Sequence, residues 1–254
     1  MPQQSGSAEC TYGDVVDLAR YPIDDLDSRQ GQALVRTCRD ELEEKGACSL
    51  AGFLTPAAID AMVRLATSLA GQAWVSDQTH TVYFEPVDQT VGPSHPRAHQ
   101  VRSAKRGIAY DYIPRDAPVR RLYESDDMTR FVAAVLDKVV LYRSADPLDA
   151  LQITLFQEAD ELGWHFDRSE FSVTLMYQQS EEGGHFEYVP GLRSDEDQTY
   201  PQVQQVLQGD IGAARLPGNP GTGPVPRPTR PPPSYPDQRT TSQNQLRPHL
   251  RRAA

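Results

Sequence analysis

The chain has 254 residues, of which 38% are hydrophobic, and its formal net charge is −10. This length suits one large domain or one domain with appendages. No apolar run reaches the ~18 residues that a membrane-spanning helix needs, and the first ten residues lack the basic start and apolar stretch of a signal peptide. An acidic folded body argues against nucleic acid as a partner. We therefore expect a protein that binds neither nucleic acid nor membrane.

The three cysteines are Cys10, Cys38 and Cys48, an odd number without CxxC spacing. This set argues against a disulfide framework and for a reducing, cytoplasmic environment.

The first half of the chain predicts helices with few strands between them. Residues 1–28 are polar and predict a loose segment. Apolar periodicity predicts a helix over 32–45. Thr55 followed by Pro56 predicts a capped second helix that continues to residue 70, and a third helix is expected over 127–141. Runs at 47–54 and 81–85 predict strands, whereas the broken, basic stretch 93–114 predicts a loop over the core.

Four short apolar runs follow at close spacing, and acidic or glycine-rich turns separate them. They cover 151–156, 163–167, 171–178 and 185–189, and a short helix is expected over 198–207. Helices followed by closely spaced strands predict an α+β fold with an antiparallel barrel or sandwich.

The C-terminal segment has a different composition. Ten prolines fall between Pro217 and Pro248, and Val225, Leu246 and Leu250 are its only aliphatic residues besides alanine. Such a segment cannot bury enough apolar surface to offset the entropy lost on ordering, so it should be disordered or polyproline II. The predicted organisation is a loose segment (1–28), a folded domain (29–216) and a Pro/Arg-rich tail (217–254).

The motif His165-x-Asp167 is the strongest indication of chemistry. In a strand, residues i and i+2 point to the same side, so an imidazole and a carboxylate can hold one ion while Phe166 faces away. These two groups are two thirds of the 2-His-1-carboxylate triad of non-haem Fe(II) oxygenases. The alternative is an ordinary surface His–Asp pair.

The neighbouring residues extend this motif. Together with 171–175, Thr174-x-x-Tyr177, 182–190 and Leu192-Arg193, the motif resembles the Fe(II)/2-oxoglutarate oxygenases. It is most similar to the bacterial branch of free-amino-acid (lysine-type) halogenases and their hydroxylase relatives. The resemblance implies a double-stranded β-helix, or jelly roll, with Fe(II) and 2-oxoglutarate as cofactors. It also implies O₂ and a free amino acid or similar small metabolite as substrates.

The same resemblance assigns expected roles to further residues. Thr174 and Tyr177 would line the 2-oxoglutarate pocket, and Arg102, in the basic loop, would hold a substrate carboxylate; ordinary strand and solvated-charge roles are the alternatives. Halogenases of this branch replace the acid by a small residue and bind chloride there. Because Asp167 is present, we expect a hydroxylase.

The second half of the metal site is missing. The resemblance implies a second histidine 60 to 75 residues after His165 and then an arginine for 2-oxoglutarate, but 225–240 contains no histidine. Only His249 follows, in a stretch without a strand pattern. Reading the codons one base later from Thr222 permits an apolar strand, a histidine-bearing segment and an arginine-bearing strand. We hypothesise a frameshift, real or from sequencing, near 222–223, which would leave the jelly roll incomplete and activity impaired.

The tail also allows a second interpretation. Residues 226–233 contain PxxP with arginines, which is typical of SH3-type ligands. On this view the protein is a non-catalytic scaffold with a degenerate barrel.

Overall fold

Five α-helices and ten short β-strands form the part of the chain that the computed structural model describes: residues 12–167, 169–194, 197–216, 218–226 and 250–251. In chain order they are α1 (Arg29–Lys45), β1 (Ala47–Leu50), α2 (Pro56–Leu69), β2 (Trp74–Thr81), β3 (Gln100–Ile108), α3 (Pro118–Glu124), α4 (Asp126–Val135), β4 (Tyr142–Arg143), β5 (Ile153–Leu155), β6 (Glu161–Leu162), β7 (Glu187–Tyr188), α5 (Tyr200–Gln208), β8 (Ala214–Arg215), β9 (Gly223–Pro226) and β10 (Leu250–Arg251). Short 3₁₀ helices cover Ala70–Gln72 and Tyr110–Tyr112.

Local sequence signals account for the ends of the first two helices. The Ser28 hydroxyl accepts a hydrogen bond from the Gly31 amide and caps α1. Gly46 ends α1 at φ 72°, a left-handed conformation that glycine adopts without cost. Thr55 caps α2 in the same way as Ser28 caps α1, and Pro56 occupies its first turn, as the sequence predicted.

The segment before α1 packs onto the helices. Val15, Val16 and Ile23 are almost completely buried, and the Arg121 guanidinium donates two hydrogen bonds of 2.7 Å to the Asp14 carboxylate. Residues 12–28 therefore pack against the helices, whereas the sequence predicted a loose segment. Apolar side chains of this segment reach the core. Residues 1–11 lie outside the described part.

The largest sheet lies where the sequence predicted a loop. β3 pairs antiparallel with β2 along its length, and β5 and β6 pair with its other edge. The predicted loop over 93–114 is wrong for β3. Of the predicted strand over 81–85, Thr81 ends β2 and the rest is a turn in which Phe84 has φ 54°. β2 and β3 are both rich in polar residues, so their pairing depends on sheet contacts rather than on a local apolar pattern.

The second half of the chain contains less regular strand than predicted. β5 and β7 fall within predicted runs, but 171–178 belongs to none of the described strands. Met176 instead exchanges backbone hydrogen bonds with Gly221 and Thr222. β9 pairs with β1, β8 with β7, and β10 with β4. The fold is thus α+β with antiparallel pairing, and the described strands do not close into a barrel.

One hydrophobic core connects the helices to the second half of the chain. It is built from buried side chains of all of α1–α4 and of the segment 171–177, including Cys38, Met62, Leu122, Phe131, Val173 and Tyr177. Cys38 and Cys48 are buried, free thiols. Among the described residues there is no helix with the length and apolar character to cross a bilayer.

Candidate metal site

Residues 163–167 follow β6 and run beside the large sheet. The Gly163 amide donates to the Arg102 carbonyl at 2.9 Å, and the Phe166 amide donates to the Val82 carbonyl at 2.8 Å. The Phe166 ring stacks on Tyr83, with 5.2 Å between centroids.

The side chains of His165 and Asp167 converge, with 3.4 Å between Nε2 and Oδ1. His165 Nδ1 lies 2.7 Å from the Gly163 carbonyl oxygen. Because a carbonyl can only accept, Nδ1 carries a proton, so that in the neutral form of the ring Nε2 is the nitrogen with the lone pair. The Ser172 hydroxyl donates to Asp167 Oδ2 at 2.8 Å, so Oδ1 is the oxygen that faces Nε2. Outer hydrogen bonds of this kind orient the ligands of protein metal sites.

Both residues line a cavity of about 1780 Å³. Their side chains are partly buried, with 18% of His165 and 27% of Asp167 exposed. The wall is acidic, with contributions from Glu43, Glu158, Glu161, Glu181 and Glu182. Arg193 is the one lysine or arginine that lines it within the described part of the chain, and its guanidinium lies 4.1 Å from the centre of the Phe166 ring.

Thr174 and Tyr177, the predicted 2-oxoglutarate residues, line the same cavity. The Tyr177 side chain is buried, and its hydroxyl has no hydrogen-bond partner among the described residues. Burial raises the pKa of Tyr177 well above its ordinary value. A buried donor without a partner is rare in folded proteins and fits a place where a ligand binds.

Arg102, the predicted substrate residue, lies elsewhere. Its guanidinium donates to both oxygens of Asp77 at 2.9 and 3.0 Å and to the Ala159 carbonyl at 3.2 Å. Nor do the other two basic residues of this strand line the cavity: Arg106 pairs with Asp160, and Lys105 is buried near the Trp74 ring. A substrate role for Arg102 stays a prediction and would require release from Asp77.

The structure brings together two of the three side chains that a metal site of the expected kind would need. Among the described residues, no group of three or more His, Cys, Asp or Glu side chains could hold a metal ion. His80, whose ring lies 6.2 Å from that of His165, does not replace the missing histidine, because both of its nitrogens already have partners. The imidazole and carboxylate fit a metal ion as a partial, weakly binding site.

Residues 227–249 lie outside the described part, so His249, most of the 225–240 window and the PxxP segment beyond Pro226 have no structural account. The frameshift and the scaffold alternative stay predictions. Arg168, which follows Asp167, also lies outside.

Sequence reasoning missed the residues that hold the two ligands in place. Gly163 and Ser172 are close to the motif in sequence. The glycine two residues before His165 was the one local feature that could have indicated a close backbone approach at this place. His80 and Ser103 come from β2 and β3, which the sequence did not predict as a paired ladder, so nothing local connected them to His165.

The family model described as HalD, halogenase D, matches residues 30–214. No curated protein matches the chain. The family match covers more than half of the chain, includes both His165 and Asp167, and ends before the Pro/Arg-rich tail.

Proposed function

The chain belongs to the halogenase D family, and we propose on this premise that it is an Fe(II)- and 2-oxoglutarate-dependent enzyme of hydroxylase type. Its substrate is a free amino acid or a small amino-acid-like metabolite. The observation that carries the proposal is the convergence of His165 Nε2 and Asp167 Oδ1 at 3.4 Å on the wall of a large cavity. The motifs around residues 164–193 support the same assignment.

His165 and Asp167 would hold the metal. When bound together with 2-oxoglutarate and O₂, Fe(II) supplies the oxidising chemistry that replaces hydrogen at an unactivated carbon. The protein contributes orientation: the Gly163 carbonyl keeps the proton on Nδ1 of His165, and Ser172 holds Oδ2 of Asp167. Both contacts keep the two donor atoms facing one point.

The carboxylate of Asp167 favours hydroxylation over halogenation. In the halogenases that this sequence resembles, a small residue at this position leaves a coordination position for chloride. Here the carboxylate would fill that position, held by its hydrogen bond from Ser172. Membership of a halogenase family therefore does not by itself imply halide transfer for this chain.

Tyr177 and Thr174 are the proposed contacts for 2-oxoglutarate. The buried Tyr177 hydroxyl has a donor to offer an anionic ligand, and both side chains belong to the cavity wall. The acidic remainder of the wall would repel a second anion but attract the amino group of an amino-acid substrate.

We propose that the complete domain is a jelly roll and that this chain lacks its last strands. The family match ends at residue 214, and 225–240 contains no histidine, so the expected order of a second histidine followed by an arginine is missing there. An arginine would pair bidentately with the distal carboxylate of 2-oxoglutarate. A chain with two protein ligands and no such arginine should bind both metal and 2-oxoglutarate weakly.

Succinate formation from 2-oxoglutarate tests this proposal. The 254-residue chain should give little or none above a protein-free control. A chain whose codons are read one base later from Thr222 should turn over, and His165→Ala in that chain should abolish succinate. Robust turnover by the 254-residue chain, or activity that survives His165→Ala, would contradict the proposal.

A further inference from the structure

A chain of hydrogen bonds connects the large sheet to the backbone that supports His165. The Gly163 amide donates to Ser103 Oγ at 3.0 Å. Ser103 Oγ lies 2.7 Å from His80 Nε2, and His80 Nδ1 lies 2.9 Å from the Thr81 carbonyl oxygen. Since the carbonyl accepts from Nδ1, Nε2 of the neutral ring must accept from the Ser103 hydroxyl. In this series of hydrogen bonds, each N–H or O–H donor therefore has an acceptor.

A second contact joins the same residues through their rings. The His80 ring packs on Phe84 with 4.3 Å between centroids, and Phe84 packs on His165 at 5.3 Å. The edge of His80 also faces the His165 ring at 6.2 Å. The orientation of His165 is therefore limited both through its backbone and through its side chain.

Gly163 is the point where these contacts meet. A Cβ added at this residue would lie 2.6 Å from the Arg102 carbonyl oxygen and 2.7 Å from Val101 Cβ, so a side chain does not fit. Its amide has two acceptors, the Arg102 carbonyl at 2.9 Å and Ser103 Oγ at 3.0 Å. Its carbonyl is the group that accepts from His165 Nδ1.

We propose that His80 and Ser103 are positioning residues that fix Gly163 and thereby hold His165 with its proton on Nδ1 and its Nε2 lone pair toward the cavity. The purpose of this arrangement rests on the proposed function, but the arrangement itself does not require metal. Because the Gly163 amide also donates to the Arg102 carbonyl, the hydroxyl is not needed to satisfy it, so removing Ser103 Oγ should loosen the site without unfolding the sheet.

Ser103→Ala removes the hydroxyl in question, and two further variants serve as controls. Ser103→Thr retains a hydroxyl at the same position of a strand that favours β-branched residues. Ser49→Ala removes a hydroxyl from β1 that has no hydrogen-bond partner among the described residues, and it controls for the loss of a serine from a strand.

The first measurement uses the metal-free full chain, uniformly labelled with ¹⁵N, at a pH near 8. Long-range ¹H–¹⁵N correlation reports which ring nitrogen carries the proton, and the spectrum of His165→Ala assigns the His165 signals. We expect His165 to be protonated on Nδ1 in the wild type, in Ser49→Ala and in Ser103→Thr. In Ser103→Ala, the share of the form with the proton on Nε2 should rise measurably above that in Ser49→Ala.

The second measurement is an anaerobic Co(II) titration of the same proteins, followed by the visible absorption of the bound ion. Loss of an outer contact to a metal ligand weakens binding by roughly 10–100-fold, and we expect about tenfold for Ser103→Ala. Ser49→Ala should match the wild type, and His165→Ala should lose the signal.

The outcomes separate the two proposals. If Ser103→Ala keeps the wild-type tautomer and binds Co(II) within about twofold of Ser49→Ala, the positioning role is overturned. It is also overturned if wild-type His165 carries its proton on Nε2. If no protein binds Co(II) while the tautomer still depends on Ser103, the positioning role stands and the proposed function fails.

Discussion

At the scale of single residues, the two predicted ligands depend on neighbours that do not themselves bind metal. Ser172 holds Oδ2 of Asp167, and Gly163 holds Nδ1 of His165. Each contact leaves one donor atom directed at the other residue. An ion at this place would find an imidazole nitrogen and a carboxylate oxygen already oriented, which lowers the entropy lost on binding.

Removal of the Ser172 hydroxyl tests this orientation. Ser172→Ala should weaken Co(II) binding about tenfold, because Asp167 is then free to rotate away from His165. Ser180→Ala is the matched control, since Ser180 belongs to the same cavity wall but its hydroxyl donates to the Glu182 carbonyl. Equal affinities in a Co(II) titration of the two variants would show that the Ser172 contact does not matter.

At the scale of elements, the close approach of residues 163–167 to β3 positions the site. Gly163 permits this approach because it has no side chain to collide with Val101 and the Arg102 backbone. The N-terminal segment is attached to α3 by the ion pair of Asp14 and Arg121. Both attachments join parts of the chain that are far apart in sequence.

Gly163→Ala should lower the free energy of unfolding by about 1–3 kcal/mol, because the new methyl group overlaps backbone atoms that cannot rotate away. Gly71→Ala should have no such effect, since no atom lies within 4 Å of a Cβ at that residue. Urea denaturation compares the two variants with the wild type. A stable Gly163→Ala protein would mean that 163–167 is not held against β3.

The Asp14–Arg121 pair should make stability depend on pH. The hydrogen bonds from Arg121 lower the pKa of Asp14, so its contribution is present above the unfolded-state pKa of about 3.9 and is lost as the pH falls through the folded-state pKa. Asp14 is largely exposed, so the effect is small. Asp14→Asn should lower Tm by roughly 1–3 °C at pH 7.

The Tm difference between the two proteins should shrink as the pH falls from 7 toward 2, because Asp14 of the wild type becomes protonated over this range. Thermal unfolding followed by circular dichroism at both pH values measures this difference. A Tm difference that is the same at pH 7 and pH 2 would exclude the ion pair as its cause.

Sequence patterns were sufficient where a structure is specified locally and insufficient where it is specified by distant contacts. The cap at Thr55, the start at Pro56 and the α+β class followed from local signals. β3 was predicted as loop because Arg102, Lys105 and Arg106 give it no apolar face of its own. The motif identified His165 and Asp167, whereas Ser103 and His80 reach the site only through sheet pairing.

At the scale of the whole molecule, one core supports both the helices and the cavity. Phe131 on α4 is almost completely buried in the same cluster as Val173 and Tyr177 of the cavity segment. Loss of packing among the helices should therefore reach the cavity wall.

Phe131→Ala should lower the free energy of unfolding by about 3–5 kcal/mol, as expected for truncation of a buried phenylalanine. Circular dichroism reports the loss of helix, and tryptophan fluorescence reports on the cavity wall through Trp164. The urea midpoints of both signals should shift together to lower concentration. Val139→Ala, at a side chain that is 99% exposed, should shift neither. Separate midpoints in Phe131→Ala would mean that the helices and the cavity are independent units.

The most direct test of the metal assignment is anaerobic Fe(II) binding by the full chain, measured by titration calorimetry with the wild type, His165→Ala and His185→Ala. Both histidines line the same cavity, so the comparison isolates the position of the imidazole. We predict weak binding of one Fe(II) that is lost in His165→Ala and retained in His185→Ala. Binding that persists unchanged in His165→Ala would contradict the assignment of this site.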